Sequence, residues 1–328
     1  MQVLHYRFGE AAELASDLVA LLEGFSDPAM TITLWGIAAN AKMQVGEPSE
    51  AMRLAQQAID LADRHPTVDD IFTSAAAFDF SIRGLCRLAL GLPEWRDDIE
   101  RGVLTSPPFE TPHIAALVYK TAAVIYNGGL IANAETISQT TEALQVAERS
   151  GDDFAFDATR LAHGITLVNA GGPYRADGLE ALVGYRDASI NHGYTESNVR
   201  WVDSEIAREK LRLGDVDGAI ELARQTVDYL YLVNDILTRG PAVAVLVESL
   251  VHRGSASDIA EAQAAIERLA SVPTDPGFVL FELPLLRMRA LLAKSRGDVG
   301  GYRDWVQKYR AMASDLGFEG HIAMAAEM

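Results

Sequence analysis

Apolar residues return every three or four positions along most of the chain, the spacing that gathers them on one face of an α-helix. Within residues 9–25, Ala12, Leu14, Leu18, Leu21 and Leu22 fall on one such stripe. Residues 31–45 predict a helix that stops at Gly46, and residues 47–65 predict its partner, with Pro48 and Ser49 where a helix begins. The same punctuation recurs at Gly91, Gly128-Gly129, Gly171-Gly172, Gly214, Gly254 and Gly297, each closing one helix-forming stretch and preceding another. Counted through Gly129 and Gly171, the spacings are 45, 38, 42, 43, 40 and 43 residues. A recurrence of this length predicts stacked helical hairpins, each burying its apolar side only against the next. No stretch alternates with period two among β-branched residues, so strands are not expected. The Pro-bearing segments 104–113 and 271–278 read as loops between hairpins.

Small and large residues refine the pattern. Trp35, Gly46, Ala51 and Ala58 stand at the offsets of the large, turn and small positions of a tetratricopeptide unit, and Gly214, Ala219 and Ala223 repeat the turn and small positions. Small residues let two helices approach closely, and the tryptophan fills the space between units. The expected fold is all-α, a right-handed superhelical solenoid of about seven tetratricopeptide-like hairpins, forming one repeat domain over residues 1–328. At 328 residues the chain exceeds the usual single-core size, which a solenoid accommodates because its core lengthens with each unit. The stripe in residues 9–25 looks like a second helix without its first, so the chain is expected to be the C-terminal part of a larger protein.

Hydrophobic residues make up 49% and charged residues 23%, the mixture of a folded protein. The formal charge of -18, from 28 Lys and Arg against 46 Asp and Glu, repels phosphate backbones and anionic lipid heads. Direct nucleic-acid binding is therefore not expected. Cys86 is the only cysteine, which excludes an intrachain disulfide and a cysteine metal cage, and its apolar helical neighbours predict a buried, inert thiol. No run reaches the roughly 18 apolar residues a membrane helix requires, and the N-terminal segment lacks a secretory pattern. The expected compartment is the cytoplasm.

Residues capable of chemistry are present but scattered. No phosphate-binding glycine loop followed by Lys and Ser or Thr occurs, nor a dinucleotide fingerprint or a nucleophile elbow. The histidines at 5, 65, 113, 163, 192, 252 and 321 nowhere show the i, i+4 spacing of a helical metal site. Paired acids at Asp69-Asp70, Asp97-Asp98 and Asp152-Asp153 lie near predicted helix starts, where carboxylates satisfy free backbone donors. No catalytic residue, metal or cofactor is assigned. Trp201, Tyr229, Tyr231 and Trp305 either anchor a ligand or fill gaps between helices.

One charge distribution stands out against the acidic total. The first helices of the hairpins carry Lys42, Arg83, Arg87, Lys120, Arg160, Arg200, Arg208, Arg287 and Arg289, and His163 shares that row. First helices line the concave surface of a tetratricopeptide stack. Lys42, Arg83, Lys120, Arg160, His163, Arg200, Arg208 and Arg287 are thus candidate groove residues for an acidic peptide, a sister domain or a small anionic effector. The other reading is that they pair with neighbouring acids, as Glu205 and Glu209 would allow.

With these hairpins assigned, the chain resembles the C-terminal tetratricopeptide-like region of bacterial STAND-type signalling ATPases, the MalT-like and LuxR-type regulators. Its terminal segment YRAMASDLGFEGHIAMAAEM also resembles the ends of actinobacterial proteins that join a cyclase domain, an ATPase domain and such repeats. The resemblance implies a non-catalytic regulatory or protein-interaction module whose partners are a peptide, other domains of the parent or a small effector. The alternatives are the sensor domain of a MalT-like or LuxR-type transcriptional regulator and a free-standing α-helical enzyme. No functional residue of the ATPase or cyclase domains has a counterpart in these residues.

Overall fold

A computed structural model describes residues 8–22, 27–65, 69–105, 111–192 and 196–328. Among them there are helices and no strands. Helix α1 (Phe8–Leu22) precedes seven hairpins: α2 (Pro28–Gln44) with α3 (Pro48–Arg64), α4 (Asp69–Ala89) with α5 (Trp95–Thr105), α6 (Thr111–Val118) with α7 (Ala134–Ser150), α8 (Asp153–Ala170) with α9 (Arg175–His192), α10 (Glu196–Arg212) with α11 (Val216–Leu232), α12 (Arg239–Arg253) with α13 (Ala256–Ala270), and α14 (Val279–Ser295) with α15 (Val299–Leu316). Helix α6 runs on as a π-helical stretch over Tyr119–Ile125, and α16 (Glu319–Ala326) follows the last hairpin.

Local chemistry accounts for the boundaries. Asp27, Asn133, Asp152, Asp215, Ser255 and Asp298 each accept a backbone N–H of the first helical turn, satisfying a donor that has no partner within the helix. All seven predicted turns are real. Gly46, Gly91, Gly128, Gly171, Gly214, Gly254 and Gly297 hold φ between 63° and 87°, a left-handed conformation that glycine adopts without steric cost. In the first glycine pair it is Gly128 rather than Gly129 that reverses the chain. The small positions pack as expected, with Ala51, Ala58, Ala219 and Ala223 buried, while α8 and α9 meet through glycines. A Cβ on Gly178 would lie 2.7 Å from the Val168 nitrogen.

Helices pack on their neighbours in the chain, except that α7 packs on α8 and not on α6, and the first helices also pack on one another, from α2 on α4 through α12 on α14. The result is an α-helical solenoid whose first helices form the inner row. Apolar packing is continuous, a single buried cluster extending from Ala15 to Ala325. Cys86 lies in it, fully buried, and burial pushes its thiol far above the usual range.

The expectation that hairpins bury themselves only against the next pair needs correction, because the solenoid curls until its ends meet. Helix α4 touches α14. Ile236 N donates to the Gln44 carbonyl at 2.8 Å, Asp275 N to the Gly46 carbonyl at 3.2 Å, and Phe8 N to the Val233 carbonyl at 3.1 Å. Farther along the seam, Glu319 N and His321 N donate to the carbonyls of Gly129 and Gly128, and Arg96 donates to the Gly317 carbonyl at 2.6 Å. Glycine makes this approach possible, since a Cβ on Gly320 would stand 2.8 Å from the Gly128 Cα. The predicted stripe on α1 is likewise divided: Ala12 and Leu22 are buried, whereas Leu14 and Leu21 are 67% and 74% exposed.

Candidate functional site

The eight candidate groove residues do not converge. Lys42 pairs with Glu47 at 2.9 Å, beside the first hairpin turn. Arg83 is buried and points into its own hairpin, donating from Nε to Asp98 at 2.8 Å and from Nη1 to Gln56 at 2.7 Å, and Arg87 shares Asp98 at 2.9 Å. Asp98, of the acid pair at the start of α5, is thus the anchor of a buried charge cluster. Lys120 is buried between Glu100 at 2.8 Å and Gln139 at 3.1 Å. His163 lies 3.1 Å from the Thr140 hydroxyl, and burial lowers its pKa. Arg160 stacks on Phe156 at 4.3 Å and stands 3.7 Å from Asp157, while Arg200 binds Asp203 at 2.8 Å and covers Tyr229 at 4.4 Å. Only Arg208 and Arg287 come within each other's field, sharing the negative surroundings of Glu205 and Glu248.

A cavity with a different character lies inside the inner row. The first helices of five successive hairpins curl around a chamber of about 320 Å³. Its lining includes Asn40 and Gln44 from α2, Phe78 from α4, Tyr119 from the π-helical stretch, Asp157 and Leu161 from α8, and Asn198 and Trp201 from α10. Phe8 of α1, Tyr185 of α9 and Asp235 of the loop before α12 complete the wall, and Phe154, 56% exposed, stands at the rim. Among the described residues no Lys, Arg or His is in the lining. The volume is that of a small-molecule site, and the mixture of aromatic walls with a few placed polar groups is what such sites use for orientation.

Each wall is held by specific contacts. The Tyr119 hydroxyl donates to Asn40 Oδ1 at 2.7 Å, and the Phe78 ring meets Tyr119 edge-on at 5.7 Å. Trp201 stacks on Tyr126 with ring centroids 6.0 Å apart and planes 14° from parallel. Although buried, its indole Nε1–H has no acceptor among the described residues. Asp235 is buried and accepts from Thr238 N at 3.2 Å, and burial raises its carboxyl to about 6. One helical step from Phe78, Asp79 is buried with Oδ1 unpaired against Gly36, and desolvation raises it well above the carboxylate range.

No protein-family model matches the chain, and no curated protein matches it. Among solved structures it is similar to yeast Tom70, with a TM-score of 0.49 and 12% identity over 92% of this chain and 64% of that one. The chain therefore spans less than two thirds of that structure's length. The helical-repeat architecture rests on the hairpin pairing and turn geometry described above.

Of the chamber residues, Trp201 alone was marked by the sequence as a possible anchor. Asn40, Phe78, Tyr119, Asp157, Tyr185 and Asp235 carry no local signal. They come from separate hairpins, and only the curl of the stack brings them together. Trp305, the other candidate tryptophan, lies elsewhere, with Arg289 at 5.3 Å and Lys308 at 4.7 Å from its ring. Tyr229 and Tyr231 carry Arg200 and Arg268 on their faces and pack between helices. Among the described residues no helix is long and apolar enough to cross a membrane.

Proposed function

We propose that this protein is a non-catalytic recognition module that takes a small effector in its axial chamber. The observation that carries the proposal is the chamber itself, an aromatic-walled, partly open space of about 320 Å³ built by five hairpins together. A site assembled from so many units responds to their relative rotation. Its lining includes Phe8, Gln44 and Asp235, which belong to the segments that close the first hairpin on the fifth through Phe8–Val233 and Gln44–Ile236 hydrogen bonds. A ligand that fits the closed chamber stabilises that closure by its differential affinity for the closed form.

Closure in turn changes the outer surface offered to a peptide or to neighbouring domains. The resemblance to the repeat regions of STAND-type ATPases supplies the context for this reading, in which the module reports effector occupancy to catalytic or DNA-reading domains of a larger signalling protein. A small-ligand thermal-shift screen on the wild-type chain and on Ala158→Trp, which fills the chamber, tests the proposal. Hits are expected to raise the melting temperature of the wild type and to leave Ala158→Trp unmoved. Equal stabilisation of both proteins by every hit would place binding elsewhere and remove the idea.

A further inference from the structure

We infer that the groove between α13 and α15, on the outside of the solenoid, is a docking site for an acidic linear peptide of a partner protein, with a carboxylate seated beside Trp305 and an aliphatic side chain laid on the groove floor. This site is separate from the chamber, and neither needs the other.

The distribution of charge along the chain singles out this end. Residues 1–278 carry 21 Lys and Arg against 40 Asp and Glu, whereas residues 279–328 carry seven against six. An acidic segment is therefore repelled along most of the solenoid and meets no such field over its last hairpin. The cations there have few acidic partners. Of the seven, only Arg287 is in an ion pair among the described residues, with Glu248. Arg289 and Lys308 instead stand over one ring, that of Trp305, at 5.3 Å and 4.7 Å. A ring holds a cation by its π-electrons but leaves the N–H donors for a carboxylate, whose charge-assisted bonds are the stronger.

Helix α14 forms the floor of the groove and α13 and α15 its walls, around a space of about 540 Å³. Because successive helices alternate in direction, Arg289, Trp305 and Ala270 share one end, Arg296 and Gln263 the other, and the aliphatic floor at Leu292 lies between. Arg289 and Arg296 are two helical turns apart, about 10 Å, a length that an extended peptide spans in about four residues. Two acids also line the groove, and both bond elsewhere: Glu267 accepts from Gln263 Nε2 at 2.6 Å, and Asp298 caps α15 through Gly301 N at 2.9 Å.

The neighbouring groove shows the same surface already filled. Between α11 and α13, Arg224 holds Glu261 through Nε at 2.9 Å and Nη2 at 3.0 Å, and Arg268 lies 3.5 Å from Asp228 while covering Tyr231. The space left there is about 230 Å³. Among the described residues no hydrogen bond or ion pair crosses from α13 to α15, where Arg296 reaches only the amide of Gln263. The carboxylate that would complete the pattern at Arg289 is the one a ligand brings.

A random dodecapeptide phage library panned against the full 328-residue chain supplies the probe. The selected peptides are expected to share Asp or Glu beside Leu, Ile or Val. Their synthetic consensus, followed by fluorescence anisotropy, should bind Arg289→Gln about tenfold more weakly than wild type. Lys308→Glu, at an exposed position, should weaken it about fivefold and keeps the test open if Arg289→Gln fails to fold. Selected peptides without an acidic bias, no selected peptide at all, or an affinity unmoved by both substitutions overturns the assignment. Ala158→Trp keeps the two sites distinguishable: it is expected to bind the peptide as wild type does, and loss of binding there would put the peptide in the chamber and overturn the groove.

Discussion

The carboxylate of Asp275 accepts the backbone N–H of Ser49 at 2.7 Å, across 226 residues of chain. Helix α3 begins at Pro48, and its own cap position, Glu47, makes no side-chain capping bond. The donor that a local Ser or Asp would ordinarily satisfy is met instead by a loop two thirds of the chain away. Beside it, Asp275 N donates to the Gly46 carbonyl, so one residue both caps a helix and closes the superhelix.

Asp275→Ala is therefore expected to lower stability by about 1 kcal/mol, the ordinary worth of an N-cap. Asp275→Asn, which keeps an acceptor oxygen, should lose less than half as much. Urea midpoints at unchanged slope measure both effects, and hydrogen exchange in the first turn of α3 should accelerate in the alanine variant alone. A wild-type midpoint for Asp275→Ala would show that the clasp contributes nothing to folding.

His321 supplies a pH signature for the same seam. Its Nδ1 lies 2.7 Å from the Tyr309 hydroxyl, its backbone N–H bonds the Gly128 carbonyl, and Phe318 packs beside its ring. Burial first, and the positive charge of Arg287 second, lower its pKa to about 4. The unfolded side chain titrates near 6.5, so the unfolded state binds the proton more tightly. Stability from the neutral ring is complete above about pH 6.5 and drains away as pH falls toward 4, a loss of about 3 kcal/mol. Asp235, raised to about 6, slopes the other way over part of this range, because a carboxyl that prefers to be protonated when folded favours the fold at lower pH. The difference in unfolding free energy between wild type and His321→Gln isolates the histidine. That difference should shrink steadily from pH 7 to pH 4, and a flat difference would refute the assignment.

Arg83 separates structural from recognition roles among the inner-row cations. Its bonds to Asp98 and Gln56 are buried within one hairpin and its neighbour, and Asp98 would keep only Arg87 after its loss. Arg83→Met is expected to cost about 1–3 kcal/mol of stability, the penalty of removing one partner of a buried hydrogen-bonded group. Affinity for any chamber ligand should stay within about twofold of wild type, since an unchanged site changes no binding free energy. Chemical denaturation and calorimetry on the same preparation read the two quantities. Unchanged stability with abolished binding would return Arg83 to the groove.

The helical hairpins were legible because their signals are local. A left-handed residue at each turn is a demand on one φ angle, and glycine meets it wherever the stack is placed. Close helix contacts were only partly legible. Ala51 and Ala219 follow the repeat pattern, but the tight crossing of α8 and α9 uses Gly164 and Gly178, and α12 approaches α14 at Gly240, whose added Cβ would stand 2.7 Å from the Leu280 carbonyl. That carbonyl is free of the usual helical bond because its partner four residues on is Pro284, which has no N–H. Such pairings depend on two distant segments at once. The inner-row cations illustrate the same limit: their helix positions were read correctly, yet whether Arg83 faces a groove or Asp98 depends on rotamer and neighbour.

By itself, then, the amino-acid order determined the helices, their pairing into seven hairpins, the turns between them and the burial of Cys86, since each follows from periodicity and backbone freedom within a few tens of residues. The degree of curl was decided only in three dimensions. Small rotations between successive hairpins add along the stack, and the contacts that stop them join Ser49 to Asp275 and Gly128 to Gly320. That accumulated rotation narrows an open groove into a chamber, and it chooses which aromatic rings and carboxylates line it.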